Sequence, residues 1–434
     1  MTLASLVGTS LESYDFYVFS YFSAVFSAAV FFPTQDKVAG QLLAFLTLAT
    51  SYFVRPIGAI IFGHLGDRIG RRATLIWTIG IMGVATTLIG LLPGYATIGI
   101  AAPILLVTLR VIQGISLGGE WGGSILVGVE HSTAKRRGFY AAIPQLGSPI
   151  GTIVTSVLFL VLSATLSQAD MAAWGWRIPF LIALPLLAVS LYLRISIDET
   201  PVFSHLATAK KLDRVPVLDV FRRQPVALIV AIGAALLGIG SYALMNTYTT
   251  NYGVTTLGFD YTQVFTATTI GSLLQLVTIP LFGLWATRIG SARVVWLGAL
   301  TTLIIAFPMY FMLQYATFGI LVGTMIIGGI FPTLSWAGLG GLMADIFGQS
   351  IRYSALSIAY AVAAAISGLI PLVTDALGLA THEAWWHPGV VLAILSAITL
   401  VAALAAASIA KRRREDIVDS DDVLESENAG AVAG

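Results

Sequence analysis

The chain has 434 residues, of which 57% are hydrophobic and only 10% charged, with a formal net charge of +1. A water-soluble chain carries about a quarter charged residues, so the composition excludes a soluble globular protein, and the balanced charge gives no reason to expect a nucleic-acid partner. Cysteine is absent, which removes disulfides and thiol chemistry.

Apolar runs of about 20 residues, enough to cross a hydrocarbon core of about 30 Å as helix, recur along almost the whole chain. In order they cover about 3–32, 39–63, 73–93, 98–128, 138–164, 175–195, 226–252, 262–285, 293–312, 316–341, 353–379 and 388–410. Such runs are too long for barrel strands. The expected fold class is an all-α integral membrane protein with twelve transmembrane helices. No cleavable signal is visible, because the first run holds Glu12 and Asp15 and lacks a basic start.

Lysine and arginine set the orientation. With both termini inside, the segments 64–72, 129–137, 194–225, 286–293, 342–352 and the C-terminal tail are cytoplasmic. Every lysine and arginine except Lys37, Arg55, Arg110 and Arg177 falls in them. This is the positive-inside pattern of a cell-membrane protein.

The longest polar stretch divides the chain into an N-terminal half (1–195), a cytoplasmic linker (196–225) and a C-terminal half (226–410). An acidic tail (411–434) follows, whose composition predicts disorder. Both halves carry a glycine-and-basic connection between their second and third helices, "GHLGDRIGRR" (63–72) and "GLWATRIGSAR" (283–293). Gly63, Arg68 and Gly70 align with Gly283, Arg288 and Gly290 at constant spacing. A second match, Glu130 and Arg137 in "EHSTAKRR" with Asp345 and Arg352 in "DIFGQSIR", follows in the same order. Two six-helix halves related by an axis along the membrane normal form a transporter architecture.

Charged groups at helix depth are costly, so they face a cavity or one another. Glu12 and Asp15, three apart on one helix face, lie roughly 13–18 Å from the cytoplasmic end at ~1.5 Å per residue. Arg55 comes to ~12 Å and Glu120 to ~14 Å on the same scale. The spacing predicts that these four meet at one depth. In the fourth run, Gln113, Ser116, Glu120 and Ser124 share a polar face expected to look into a water-filled pathway. Gly114, Gly118 and Gly122 form a separate ridge for close helix packing.

Glu12, Asp15 and Glu120 are the proton-coupling candidates, since a carboxylate at that depth can exchange a proton as its neighbours change. The competing reading is a permanent ion pair of Glu12 or Asp15 with Arg55 that only fixes packing. Arg55 and Arg110, with Gln113 beside the latter, are candidates to orient a substrate carboxylate, for which a guanidinium offers bidentate geometry. Tyr17, Tyr21, Gln145, Ser148, Tyr242, Asn246, Tyr248, Asn251, Gln275, Trp336 and Tyr360 are further polar or aromatic candidates on the expected cavity helices. The alternative for each is ordinary interfacial packing. His64, His131, His382 and His387 show no metal-ligand spacing, so neither a metal nor a cofactor is expected, with H+ as the coupling ion.

The connection "GHLGDRIGRR" resembles the signature of the major facilitator superfamily at every defining position, and "RVIQG" (110–114) resembles that superfamily's fourth-helix motif. "LESYDF" (11–16), "RPIGAIIFG" (55–63), "GGEWGG" (118–123), "RRGFY" (136–140), "WGWRIPFL" (174–181) and "DETPVF" (198–203) narrow the likeness to the metabolite:proton symporter family. Its members carry organic acids such as 2-oxoglutarate, citrate or shikimate, or osmolytes such as proline and betaine. The resemblance implies two pseudo-symmetric six-helix halves that alternate access, with proton-coupled uptake. It also implies a cytoplasmic gate network of Gly63, Asp67, Arg68, Gly70, Arg71, Arg72, Glu130 and Arg137, and a coupling role for Arg110. The sequence departs from the pattern at Thr287, where the second copy would have an acid, and it starts almost at the first helix. It lacks the heptad-bearing C-terminal extension of the osmosensing proline/betaine transporter.

The expected function is proton-coupled import of a small organic acid by a monomer in the lipid bilayer. The alternatives within transport are a zwitterionic osmolyte symporter and a proton-coupled exporter. An intramembrane enzyme would need a nucleophile or metal set that the sequence does not show, and a nutrient sensor would need a soluble output domain.

Overall fold

In hydrocarbon every backbone N–H and C=O must be paired within the chain, so the apolar runs become helices and their polar breaks become the connections. The computed structural model describes residues 2–33, 37–69, 71–130, 132, 136–195, 216–348 and 352–432. The side chains of residues 2–5, 24, 37, 63–64, 66–69, 71–72, 127–128, 130, 194, 216–219 and 414–432 lie outside that description. The first helix is α1 (Thr2–Val25). Eleven spans long and apolar enough to cross a membrane follow: α2 (Val38–Phe62), α3 (Ala73–Leu91), α4 (Ala101–Leu126), α5 (Arg137–Thr165), α6 (Met171–Leu193), α7 (Pro225–Thr255), α8 (Tyr261–Ile289), α9 (Ser291–Leu313), α10 (Phe318–Ile346), α11 (Arg352–Ala380) and α12 (His387–Arg413). No strand occurs among the described residues. Large apolar side chains such as Trp77, Ile229 and Val401, each about two-thirds exposed, point outward, as a lipid-facing surface requires.

The two halves repeat one arrangement. In the first, α3 packs against α4 and α6; in the second, α9 packs against α10 and α12. The halves meet where α5 crosses α8 and where α2 crosses α11. The end of the bundle that carries the two glycine-and-basic motifs and the Lys411–Arg413 run is here termed the basic end.

Local sequence explains the irregular points. Pro56 has no N–H to donate, and α2 breaks beside it, one helix ending at Phe53 and the next starting at Arg55. Asp260 caps α8 reciprocally: its carboxylate accepts from Gln263 N–H at 2.7 Å, while its own N–H donates to the Gln263 side chain at 3.1 Å. Gly290 joins α8 to α9 at φ 96°, a left-handed backbone that glycine adopts without steric cost. In the first copy of the motif, helices run to Ile69 and start again at Arg71. The expected loop 64–72 is therefore almost entirely the ends of two helices, because nothing between His64 and Ile69 is a strong breaker except Gly66.

The C-terminal segment also differs from expectation. The last helix runs His387–Val432, through the stretch whose acidity predicted disorder. Between Gly389 and Gly430 there is no glycine or proline, and alanine, leucine, arginine and glutamate favour helix there.

Glycines bring α2 and α4 into close contact. A Cβ built on Gly118 would lie 2.2 Å from Ala59 N and 2.3 Å from Arg55 O. One on Gly114 would lie 2.1 Å from Ser51 O, and one on Gly58 would lie 1.9 Å from Ile115 O. Glycines on both helices thus let the two backbones touch, as the ridge in the fourth run predicted, and Gly122 extends the ridge to Ser357 on α11. Overpacking a contact of this kind costs about 1–3 kcal/mol or more. Gly118→Ala is expected to lower the melting temperature of the purified protein clearly, whereas Gly80→Ala, with nothing within 4 Å of the new methyl, is expected to be neutral. Thermal unfolding followed in detergent checks both, and equal melting of the two variants would refute the packing account.

Candidate functional site

A cavity of about 50 Å³ lies between the halves. From the first half it is lined by Glu12, Phe16 and Tyr17 of α1, Tyr52 and Arg55 of α2, Trp121 of α4, and Gln145 and Ser148 of α5. The second half supplies Tyr242 of α7, Trp336 of α10 and Tyr360 of α11. Its wall is aromatic, with one carboxylate and one guanidinium. The Arg55 guanidinium lies 3.6 Å from the Glu12 carboxylate, both buried, and stacks 4.5 Å from the centre of the Tyr52 ring. A small solute with an ionic group and an apolar or hydroxylated body would find partners for both parts here.

Behind this pair runs a second, separate network. Gln113 donates to Asp15 at 2.8 Å and to the Thr86 hydroxyl at 2.8 Å, and Thr86 in turn donates to Asp15. Arg110 donates to the Gln113 carbonyl at 2.8 Å and to Ser51 at 2.5 Å, with its guanidinium 3.8 Å over the Phe19 ring. One amide side chain therefore links guanidinium to carboxylate. Among the described residues, the second carboxylate oxygen of Asp15 is buried without a hydrogen-bond partner.

The four groups expected at one depth are thus divided. Glu12 pairs with Arg55 at the cavity, whereas Asp15 turns toward α3 and α4 and does not line it. Three residues' separation makes helix neighbours, but about 60° remains between their directions at 3.6 residues per turn, and that angle separates the partners. Glu120 is fully buried, just after the interruption of α4 at Gly118 and Gly119, and its neighbour Trp121 lines the cavity in its place. The expectation that the Gln113, Ser116, Glu120 and Ser124 face looks into a water-filled pathway is corrected. All four are buried, and Gln113 bonds to α1 and α3 within its own half.

Contacts across the halves close the basic end of the cavity. Trp121 stacks on Tyr360 with ring centres 4.3 Å apart and planes 5° from parallel. Gln145 accepts from the Trp121 indole at 3.2 Å and donates to the Trp336 carbonyl at 3.1 Å. Tyr353 donates to the Gly119 carbonyl at 2.9 Å. Farther out, Arg137 pairs with Asp345 at 3.7 Å, joining members of the two copies of one repeat. Thr287, which stands where the repeat would have an acid, accepts from the Phe139 N–H at 3.1 Å. It thereby caps the first turn of α5 without charge. The side chains of Asp67, Arg68, Arg71, Arg72 and Glu130 lie outside the described residues, as do those of His64 and His131; Gly63 and Gly70 fall in the same stretches.

Of the further candidates, Tyr17, Gln145, Ser148, Tyr242, Trp336 and Tyr360 line the cavity. Gln275 stands behind it, accepting from the Tyr242 hydroxyl at 2.6 Å. Tyr21 belongs to an aromatic contact with Phe159 and Phe265 toward the opposite end, and Asn246 donates to the carbonyl of Tyr242. Tyr248 and Asn251 line a different space, nearer that end. Sequence reasoning missed Trp121, Tyr52, Phe16, Thr86, Ser51 and Asp345 as site residues. Tyr52 could have been found as the aromatic three residues before Arg55, and Asp345 from the repeat; Thr86 and Ser51 carry no sequence signal.

Residues 1–215 match the family described as "Sugar (and other) transporter", and residues 230–425 match the family described as "Major Facilitator Superfamily". The chain is 35% identical over 419 residues to the inner membrane metabolite transport protein YhjE of Escherichia coli K12, covering 93% of this chain and 92% of that one. It is 34% identical over 391 residues to the shikimate transporter of the same organism, covering 89% of each. A putative proline/betaine transporter of Staphylococcus aureus MSSA476 is 32% identical over 383 residues, with 88% of this chain and 82% of that one covered. Among solved structures, the proton:xylose symporter XylE bound to 6-bromo-6-deoxy-D-glucose superimposes with a TM-score of 0.72 at 19% identity, covering 93% of this chain and 94% of that one. A partially occluded inward-open form of XylE from E. coli gives 0.69 at 19% identity, covering 93% and 95%. The twelve-helix bundle is therefore the fold these proteins share, and the chain is a multi-pass membrane transporter, not an enzyme, that belongs to the major facilitator superfamily among its metabolite transporters.

Proposed function

We propose that the chain imports a small organic acid together with protons, its two halves rocking about the closed central cavity. The observation that carries this reading is the pair of buried charge networks in one half, one at the cavity and one behind it. Arg55 receives the substrate carboxylate, displacing Glu12. Asp15, whose second oxygen is buried and has no hydrogen-bond partner among the described residues, takes the proton, and Gln113 relays that change to Arg110. Glu120, buried at the start of the second part of α4, is the remaining acid in this pathway. Uptake of labelled organic acids, osmolytes and sugars into proteoliposomes, with and without an imposed pH gradient, tests the reading. An organic acid accumulated only when the interior is alkaline is expected; gradient-independent uptake, or preference for an uncharged sugar, would refute it.

The two networks make different predictions. Asp15→Asn is expected to abolish proton-driven accumulation while keeping substrate counterflow, and Glu120→Gln is expected to weaken accumulation in the same way. Glu12→Gln, which removes the carboxylate that competes for Arg55, is expected to lower the substrate concentration needed for half-maximal counterflow severalfold. Breaking one partner of a buried pair costs about 3–5 kcal/mol, so each variant is first checked for monodispersity. Loss of counterflow in a folded Asp15→Asn protein would place Asp15 in substrate binding instead.

The basic end is assigned to the cytoplasm from the lysine and arginine distribution. Single cysteines at Ser204 and Ser420 are expected to resist an impermeant thiol reagent in intact cells, and the absence of native cysteine leaves no background. Labelling of both from outside would invert the assignment.

A further inference from the structure

A second, larger space of about 510 Å³ opens between the halves toward the end opposite the basic one. Its first-half wall is mainly apolar, with Val25, Phe32 and Val38 among its residues. Its second-half wall carries Tyr248, Asn251, Tyr252, Asp375 and Glu383. Two carboxylates face it, and no lysine or arginine is among its described lining residues.

The wall is built rather than incidental. Tyr248 and Tyr252 stack with ring centres 5.9 Å apart and planes 20° from parallel. The Tyr248 hydroxyl is tied to His387 Nε2, and His387 Nδ1 donates to the Ala384 carbonyl at 2.6 Å, so the ring is fixed. Gly378 makes room for this: a Cβ there would lie 2.9 Å from His387 Nε2 and 3.1 Å from Glu383 Oε1. Glu383 is held back over the helix end by its N–H, which donates to the Gly378 carbonyl at 2.8 Å. Asn251 is the independent sign of a ligand. The residue is only 5% exposed and lines the vestibule; its backbone carbonyl accepts from Thr255, while its side-chain amide has no hydrogen-bond partner among the described residues.

We infer that this vestibule is a docking site for a small organic cation of the ammonium type, separate from the central cavity and independent of what that cavity carries. Carboxylates supply the charge, and tyrosine faces attract a cation within about 6 Å of the ring centre. The Asn251 carbonyl oxygen accepts from an N–H or C–H of the ammonium group.

The test uses the full chain in lipid nanodiscs, with radiolabelled tetramethylammonium as the probe in equilibrium dialysis. Saturable binding is expected, competed by unlabelled tetramethylammonium but not by its neutral analogue tert-butanol. The double variant Asp375→Asn/Glu383→Gln, confirmed folded by size-exclusion chromatography, is expected to bind at least tenfold more weakly. Asn251→Leu is expected to weaken binding severalfold, and Glu12→Gln to leave it unchanged. Absence of saturable binding, or undiminished binding by the double variant, overturns the proposal. Loss in Glu12→Gln with retention in the double variant also overturns it, by placing the cation in the central cavity.

Discussion

A charge held at the middle of a membrane has few partners to choose from, and the rest of this structure depends on that constraint. Desolvating an ion costs several kcal/mol even after the protein relaxes around it, so each buried guanidinium needs a fixed anion, dipole or ring. Arg55 has Glu12 and the Tyr52 face. Arg110 has Gln113, Ser51 and the Phe19 face. The bond from Arg110 to Ser51 joins α4 to α2, and their close approach leaves no room for a side chain at Gly58, Gly114 or Gly118. The glycines do not sit beside the charges by coincidence. They bring the helix that carries Arg55 against the helix that carries Arg110.

The second half is built differently. Its lining of the central cavity is uncharged, with Tyr242 bonded to Gln275 behind it, and its copy of the basic motif has Thr287 for an acid. A neutral cap on α5 holds the halves together at the basic end by one hydrogen bond, beside a half-exposed ion pair between Arg137 and Asp345. Exposed pairs are worth about 0–1 kcal/mol, so this outer pair adds little to the closure made by Gln145 and Tyr353. The aromatic stack of Trp121 on Tyr360 gives the contact shape without making it permanent. At the central cavity the charge sits in the first half, and the second supplies a mostly aromatic wall.

Much of the fold was legible because the membrane imposes it. Length and hydropathy marked the spans, the repeat gave the two halves, and the three glycines of the fourth run foretold the close helix contact. The site was legible in residue types and less so in pairing. Glu12 and Asp15 are helix neighbours, but which arginine each serves depends on how α2, α3 and α4 lean, and sequence spacing does not encode that. Thr86 illustrates the limit: one hydroxyl among many on an apolar helix, it becomes informative only once it stands beside Asp15. Trp121 was hidden by its neighbour, since a buried acid draws attention and the adjacent indole that lines the cavity does not.

The central claim is that Asp15, set behind the central cavity, exists in both protonated and ionised forms in the folded protein. Infrared difference spectra of the protein in lipid, recorded across a pH titration, read the carbonyl stretch of a protonated carboxyl directly. The account predicts a band in an apolar environment that disappears as pH rises and is missing in the Asp15→Asn variant. No such band at any pH where the protein is folded, or a band that survives in Asp15→Asn and vanishes in Glu12→Gln, would contradict it.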